Sequence, residues 1–449
     1  HGIIYVGDSM KRDIEKRLIE WKKSDNKKPL IIKGARQVGK TYSIRRFAEK
    51  HYEYVVEINF ERQLEFVSLF ESTRDPNEIL AFLKLTYLDV PFDDTTLLFM
   101  DEIQASSDAL TALKFMAETF PTDIICSGSV LGVAIASSTS FPVGYVETWD
   151  MFPMSFIEFI KAYGVDDQMI HSMETALVNY SPLPEVIHNK MNDIYKDYVV
   201  VGGMPEVVQA FVTNKSYREA LTIQRRIVSD YSNDMAKYAV GSDRIKTREC
   251  FESIPLQLAK DNKKFQYSVI KKGYNARYFD SSLRWLEDSG LVIKVNKLNQ
   301  VKRPLDANKV LSSFKIYMFD TGLLVSQFDE SDIKELLSGN LGIYKGAIFE
   351  NIVAQTFKNK HKTTYYYEPT HHLEIDFITY FEGNITPFEV KASIKTSSIS
   401  FNNFVDREKP NKSFRVSMKN MGIDEERNVY YIPFYLLELL LELDSGLLI

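Results

Sequence analysis

Over the first third of the chain, short apolar runs alternate with segments of helical spacing. Residues 29–32 (Pro-Leu-Ile-Ile), 54–59, 96–100 and 123–126 read as strands. Between them, residues 40–50 carry apolar side chains at Ile44, Phe47 and Ala48, and residues 76–88 and 108–120 keep the same period. Unbroken apolar strands joined by helices predict a doubly wound parallel sheet in an α/β fold. Beyond Pro153-Met154-Ser155 the period turns helical, over 156–162 and then 193–240, broken at Gly202-Gly203-Met204-Pro205-Glu206. Three short helices, 251–259, 267–271 and 276–288, are closed by an apolar run at 290–295, and three helices with a β-ribbon predict a winged helix. An amphipathic helix is expected at 345–357, then strands at 363–367, 374–380 and 385–390, the last two joined by a Glu382-Gly383-Asn384 turn. The closing stretch 435–449 is apolar but interrupted by Glu438, Glu442 and Asp444, and reads as a terminal helix.

At 449 residues the chain exceeds one comfortable core, so two or three domains are expected. Hydrophobic residues make up 45% and charged ones 26%, the balance of a globular protein. A net charge of −6 excludes a globally basic nucleic-acid glove but permits a local basic patch. Cys126 and Cys250 are too few and too far apart for a disulfide framework, which fits a reducing cytoplasm. No apolar run reaches transmembrane length, so no membrane partner is expected.

The sharpest chemical signal is Gly34-Ala35-Arg36-Gln37-Val38-Gly39-Lys40-Thr41, which fits G-x-x-x-x-G-K-[ST] between a predicted strand and a predicted helix. That context aims backbone N–H groups and the positive helix end at one anion. Gly34 and Gly39 allow close backbone approach, Lys40 reaches the β- and γ-phosphates, and Thr41 offers a hydroxyl to Mg²⁺. The strand 96–100 runs into Asp101-Glu102, with Asp101 placed for the ion and Glu102 for the attacking water. The expected ligands are therefore ATP and Mg²⁺, and Glu102 argues for hydrolysis. After the fourth strand, Ser127 or Ser129 is placed either to sense the terminal phosphate or simply to cap a turn.

A weaker constellation lies near the C-terminus. Glu350 sits on the amphipathic helix, Asp376 early in one strand, and Glu389-Val390-Lys391 ends the next, so alternation puts Glu389 and Lys391 on one face. Glu350, Asp376, Glu389 and Lys391 match the D…E-x-K arrangement of metal-dependent nucleases and are expected to converge as a second metal site. The bland reading is a surface hairpin with an ion pair. Adjacent His371-His372 would face opposite sides of a strand, so a turn is preferred there to a joint metal site. Lys263, Lys264, Lys271, Lys272, Arg277 and Arg284 on the winged-helix-like module either contact the phosphates of DNA or RNA or are solvated surface charge.

Taken in order, these motifs resemble the prokaryotic AAA+ superfamily ATPases that carry a C-terminal domain of unknown function with a PD-(D/E)XK nuclease-like fold. The resemblance also rests on Pro153-Met154-Ser155-Phe156, Gly202-Gly203-Met204-Pro205-Glu206, Phe319-Asp320-Thr321-Gly322 and Gly346-Ala347-Ile348-Phe349-Glu350-Asn351. It implies an ATPase domain over 1–190, a helical lid over 191–240, a winged-helix-like module over 241–325 and a nuclease-like domain over 326–449. Such ATPases usually carry arginine after the glycine that opens the strand before Pro-x-Ser-Phe, whereas here Tyr145 follows Gly144. Either Arg225 or Arg226 substitutes, or a neighbouring copy in a homo-oligomer lends a cation, or turnover is slow. The leading expectation is an ATP-hydrolysing protein coupled to nucleic-acid binding or processing, with cleavage left open. The alternative is a nucleotide-gated switch with an inactive nuclease-like domain.

Overall fold

Thr96–Asp101 is buried along its whole length, as an apolar strand must be when helices cover both faces of its sheet. The computed structural model places it in a five-stranded parallel sheet of β1 (Leu30–Lys33), β2 (Tyr54–Asn59), β3 (Thr96–Asp101), β4 (Asp123–Gly128) and β5 (Glu147–Asp150). The strand order is β2-β3-β4-β1-β5. Phe60, Phe66, Phe70, Ile79, Leu83 and Leu113 pack with Leu98 and Met100 as its core. β5 is short, only partly buried and lies at the sheet edge, so its residues show no apolar run that periodicity could detect.

The residues described are 10–129, 131–137, 141–238, 243–260, 263–338, 342–370, 373–392 and 398–446, and His371-His372 lie outside them. They divide into two units. Lys11–Pro153 with Asp288–Leu291 forms the first, while Met154–Glu287 and Val292–Ile449 supply most of the second. Among the described residues no helix is long and apolar enough to cross a membrane.

The second unit begins with helices at Phe156–Tyr163, Asp167–Val178, Glu185–Val201, Pro205–Asn214 and Tyr217–Tyr238. Ser155 opens the first through a capping box with Glu158. Helices at Asp243–Leu258, Tyr267–Ile270 and Ala276–Asp288 follow. The first of these starts eight residues before the expected 251, because its leading turns are polar and show no apolar period.

An eight-stranded mixed sheet completes this unit: β6 (Val292–Leu298), β7 (Lys309–Met318), β8 (Tyr365–Thr370), β9 (Leu373–Phe381), β10 (Asn384–Lys391), β11 (Ser413–Ser417), β12 (Gly422–Asp424) and β13 (Val429–Pro433). The ribbon β6–β7 does not stand apart, since β6 also pairs in parallel with β8. Sequence periodicity shows the ribbon but not this long-range pairing. The β9–β10 hairpin turns through Glu382 and Gly383, both at positive φ (47° and 69°), as a tight two-residue connection requires.

Gly202 and Gly203 break the helical run for a steric reason. A Cβ on Gly202 would lie 2.3 Å from a carboxylate oxygen of Asp320, and one on Gly203 would lie 2.1 Å from the Met154 carbonyl. Asp320 is fully buried and accepts hydrogen bonds from the N–H groups of Gly203 (2.7 Å) and Leu323 (2.9 Å), capping the helix Thr321–Val325.

Burial pushes the Asp320 carboxyl up to about 6, against the pull of its backbone donors. Its folded value lies above the unfolded one of 3.8, so the folded chain holds an extra proton between the two, and this group's contribution falls as pH rises through that window. Asp320→Asn removes the titration. The stability gap between wild type and Asp320→Asn should therefore be larger at pH 4.5 than at pH 7.5, by about 2 kcal/mol in urea unfolding. A gap independent of pH would refute the assignment.

Candidate functional site

β1 delivers the chain into the loop Gly34–Gly39, and the helix Lys40–His51 leaves it. Gly34 has φ +151° and sits so close to its neighbour that an added Cβ would lie 2.2 Å from the Met151 carbonyl oxygen. Gln37 and Gly39 take positive φ (61° and 96°), which turns the loop back on itself before the helix begins. Arg12, also buried, ties the loop down: it donates to the carbonyls of Val38 (2.7 Å) and Phe152 (2.8 Å). Sequence reading missed Arg12, which lies in a polar stretch with no motif around it.

Lys40 folds over the loop and donates to the carbonyls of Gly34 (2.9 Å) and Ala35 (2.8 Å). Burial lowers its ammonium to about 8, with Glu102 and Asp101 opposing and Arg36 assisting, so it is still charged at pH 7. The Thr41 hydroxyl donates toward Asp101, at 3.3 and 3.4 Å from the two carboxylate oxygens. Asp101 also accepts from Ser127 and, at 3.3 Å, from the Asn59 amide. Burial raises its carboxyl; the Ser127 hydrogen bond pulls the other way. Asn59 stands level with Asp101 in the β2–β3 register, and both predicted strands ended at this edge, so the pairing was latent in the sequence.

Glu102 leaves the strand in the left-handed region (φ 52°) and accepts from Gln104 and, at 3.3 Å, from Ser129. Arg36 in turn donates through Nε to the Ser129 hydroxyl at 3.0 Å. The two serines therefore part company: Ser127 sits on Asp101, and Ser129 sits between Arg36 and Glu102. Arg225 and Arg226 belong to the second unit and are engaged there. Arg225 donates to the carbonyls of Ser326 and Phe328 and pairs with Glu330, and Arg226 pairs with Glu206.

The helix start at Lys40, the glycine-rich loop and the Thr41–Asp101 pair meet at one sheet edge, with Glu102 beside them. That donor set fits a nucleoside triphosphate with a hard divalent ion: a hydroxyl and a carboxylate for the ion, an ammonium for the phosphates.

At the second constellation, Phe377 stands opposite Phe388, which puts Asp376 and Glu389 side by side on β9 and β10. Asp376 accepts from the Val390 N–H (2.8 Å), and Lys391 pairs with Glu389 at 2.7 Å. Burial and the Glu389 charge raise the Asp376 carboxyl well above the usual range. One Glu389 oxygen is buried with no hydrogen-bond partner.

Glu350 is held differently. It bonds Lys263, Lys315 (3.4 Å) and the Tyr317 hydroxyl (3.1 Å), and against the effect of burial these lysines hold it down at about 2. Among the described residues, no three carboxylate oxygens from Glu350, Asp376 and Glu389 lie within 4.8 Å of one another. The four residues thus divide into an Asp376–Glu389–Lys391 group and a Glu350 ion pair close enough for its charge to reach Asp376.

Of the six cations noted on the helical module, Lys263 and Lys264 turn inward to Glu350 and Glu368, and Arg284 pairs with Asp280. Lys271, Lys272 and Arg277 are exposed; the Lys271 ammonium lies 5.0 Å from the centre of the Tyr274 ring, which adjoins that of Tyr278 with centroids 4.5 Å apart.

Comparison with known proteins finds a family match over the first site. The AAA domain family matches residues 26–160. Two domains of unknown function match residues 192–334 (DUF8612) and 345–437 (DUF4143). An uncharacterized protein of Haemophilus influenzae is 23% identical over 290 residues, covering 60% of this chain and 70% of its own. Among solved structures, the Walker-type ATPase of Pyrococcus abyssi is 15% identical, with 71% of this chain and 96% of that one covered and a TM-score of 0.44. The ORC1 protein of Aeropyrum pernix, solved in complex with DNA, is 12% identical over 74% and 94% of the two chains, with a TM-score of 0.32. Residues 26–160, which hold the glycine-rich loop and the parallel sheet, are thus similar to an AAA domain.

Gly34→Ala tests the loop geometry by stability alone. The clash with the Met151 carbonyl should cost about 1–3 kcal/mol, read as a lowered denaturation midpoint of the first unit. An unchanged midpoint would mean the loop does not need this close approach.

Proposed function

We propose that this protein binds ATP with Mg²⁺ and hydrolyses it. The observation that carries the reading is the meeting of Lys40, Thr41 and Asp101 at the end of β3, with Glu102 beside them. Lys40 holds the β- and γ-phosphates, moving from the carbonyls it now bonds. Thr41 and Asp101 are the protein groups around the metal, and Ser127 fixes the Asp101 carboxylate for that task. A bound Mg²⁺ would supply charge neutralisation to the phosphates. Glu102 orients and polarises the attacking water, and its bonds to Ser129 and Gln104 set where it starts.

Lys40→Ala should weaken ATP binding by at least tenfold, roughly the loss of one charge-assisted contact. Glu102→Gln should keep binding and slow phosphate release by about 10²-fold or more. Nucleotide titration and a phosphate-release assay read the two separately. Equal release by wild type and Glu102→Gln removes hydrolysis by Glu102 from the picture, and tight binding without release leaves a nucleotide-gated switch.

The second unit suggests a nucleic-acid partner. Support comes from Asp376, Glu389 and Lys391 on neighbouring strands with an unpartnered Glu389 oxygen, and from the exposed Lys271, Lys272 and Arg277 of the winged-helix-like module, Lys271 lying against the Tyr274 ring. Cations and ring faces together suit phosphates and unstacked bases. Linear, branched and single-stranded DNA incubated in Mg²⁺ or Mn²⁺ should give products that Asp376→Asn abolishes. Binding without an Asp376-dependent product would leave a nucleic-acid-binding domain, and no binding at all would remove nucleic acid as the partner.

A further inference from the structure

Arg415 lies on β11 and is almost fully buried, with 4% of its surface exposed. A guanidinium keeps its charge in a protein, so burial without an acidic partner carries a standing cost. Among the described residues Arg415 has no such partner. Its terminal nitrogens donate to two neutral groups, the Asn402 amide oxygen and, at 3.4 Å, the Tyr431 hydroxyl. Its Nε is buried with no hydrogen-bond partner. The rings of Phe401 and Tyr431, centred 5.1 and 5.8 Å from the guanidinium carbon, offset part of the cost.

An acid is close by and yet does not meet it. Glu389 stands level with Arg415 in the parallel β10–β11 register, so the two side chains share one face of the sheet. One Glu389 oxygen takes Lys391 (2.7 Å) and the Ser398 hydroxyl (2.8 Å), and the other is left unpartnered. Ser398 caps the helix Ile399–Glu408 and Asn402 lies one turn along it, so the start of that helix bonds both residues. Tyr431 is level with Arg415 on β13, and the Lys419 ammonium sits 3.8 Å from the centre of its ring. Tyr431 and Lys419 are partly exposed, which opens this end of the row to solvent. Acids on β9 and β10 thus adjoin cations on and after β11, and the two residues where they meet each keep an unused hydrogen-bonding atom.

We propose that Arg415 forms an anion subsite beside the Asp376–Glu389 pair, where its Nε and a terminal nitrogen hold a phosphoryl group of a nucleic-acid strand. The proposal rests on the nucleic-acid reading of the second unit. The planar fork of a guanidinium matches two phosphoryl oxygens. The acids next to it suit a hard divalent ion, which a phosphoryl oxygen can share. A contact of this kind carries no base information, so it serves any sequence.

Fluorescence anisotropy of end-labelled single-stranded and duplex DNA with the full chain, in Ca²⁺ over a series of salt concentrations, tests this. Arg415→Met should weaken binding about tenfold on every sequence and lower the slope of log K against log salt by about one. Arg415→Lys should keep the slope and recover part of the affinity. The urea midpoint of Arg415→Met should equal or exceed that of the wild type, because an uncompensated buried charge is gone. Unchanged affinity and slope would overturn the proposal, and so would weaker binding at an unchanged slope, the mark of a loosened sheet. If the wild type binds no DNA, the nucleic-acid reading fails on its own, and inorganic phosphate at constant ionic strength decides for Arg415. A phosphate-induced rise in the wild-type midpoint that Arg415→Met lacks keeps the phosphoryl subsite and assigns it a free ligand, whereas equal rises, or none, overturn it.

Discussion

A carboxylate at the end of a fully buried strand is costly unless its neighbours supply donors, and the first unit is organised around meeting that need for Asp101. β3 ends there because its apolar run is spent. β2 contributes Asn59, β4 contributes Ser127, and the helix after the loop contributes Thr41. Each donor sits at the same edge of a parallel sheet, which is where loops and helix N-termini converge in such folds. Lys40 is drawn to the same edge and keeps its charge despite burial because two carboxylates face it. The loop backbone is fixed from behind by Arg12 and by the contact of Gly34 with Met151, so the ligand edge is set before any ligand arrives.

The second unit meets a comparable constraint with lysines. Lys315 is almost fully buried between Glu350 and Glu374, and Lys263 adds a second ammonium to Glu350. Removing one partner from such a cluster leaves an uncompensated charge inside the protein. The arrangement therefore pins the helix Gly342–Asn359 against β7 and against the segment that follows Asp243–Leu258. The Lys315 charge also reaches Asp376, while Glu389 is paired with Lys391.

Polar residues at the chain corners do the same work on a smaller scale. Asn351 accepts from the Met318 N–H at 2.7 Å and donates to the Thr321 hydroxyl at 2.8 Å, while Gln355 accepts from the Thr321 N–H at 2.9 Å. Asp320 reaches the Gly203 N–H. Motifs that lie far apart along the chain, Gly202-Gly203, Asp320-Thr321 and Glu350-Asn351, are thus members of connected hydrogen-bonding corners.

The sequence by itself determined four of the five strands of the parallel sheet, the loop and its lysine, and the acids at the end of β3. These depend on local chemistry: apolar runs, two glycines with fixed spacing, and residues adjacent to them. It also placed the β9–β10 hairpin, because a tight turn and strand alternation are short-range properties. Tertiary structure alone decided which side chain each polar group found. Ser127 and Ser129 are two positions apart yet serve different acids, since only the packing of β4 against β3 and the loop distinguishes them. Glu350, expected near Asp376 and Glu389, lies close enough to act on Asp376 yet takes its ion pairs from Lys263 and Lys315, residues 87 and 35 positions away. The β-ribbon after the third short helix joined a larger sheet through β8. Pairing across such separations is set by burial and charge compensation in the folded chain, and no local period along the sequence encodes it.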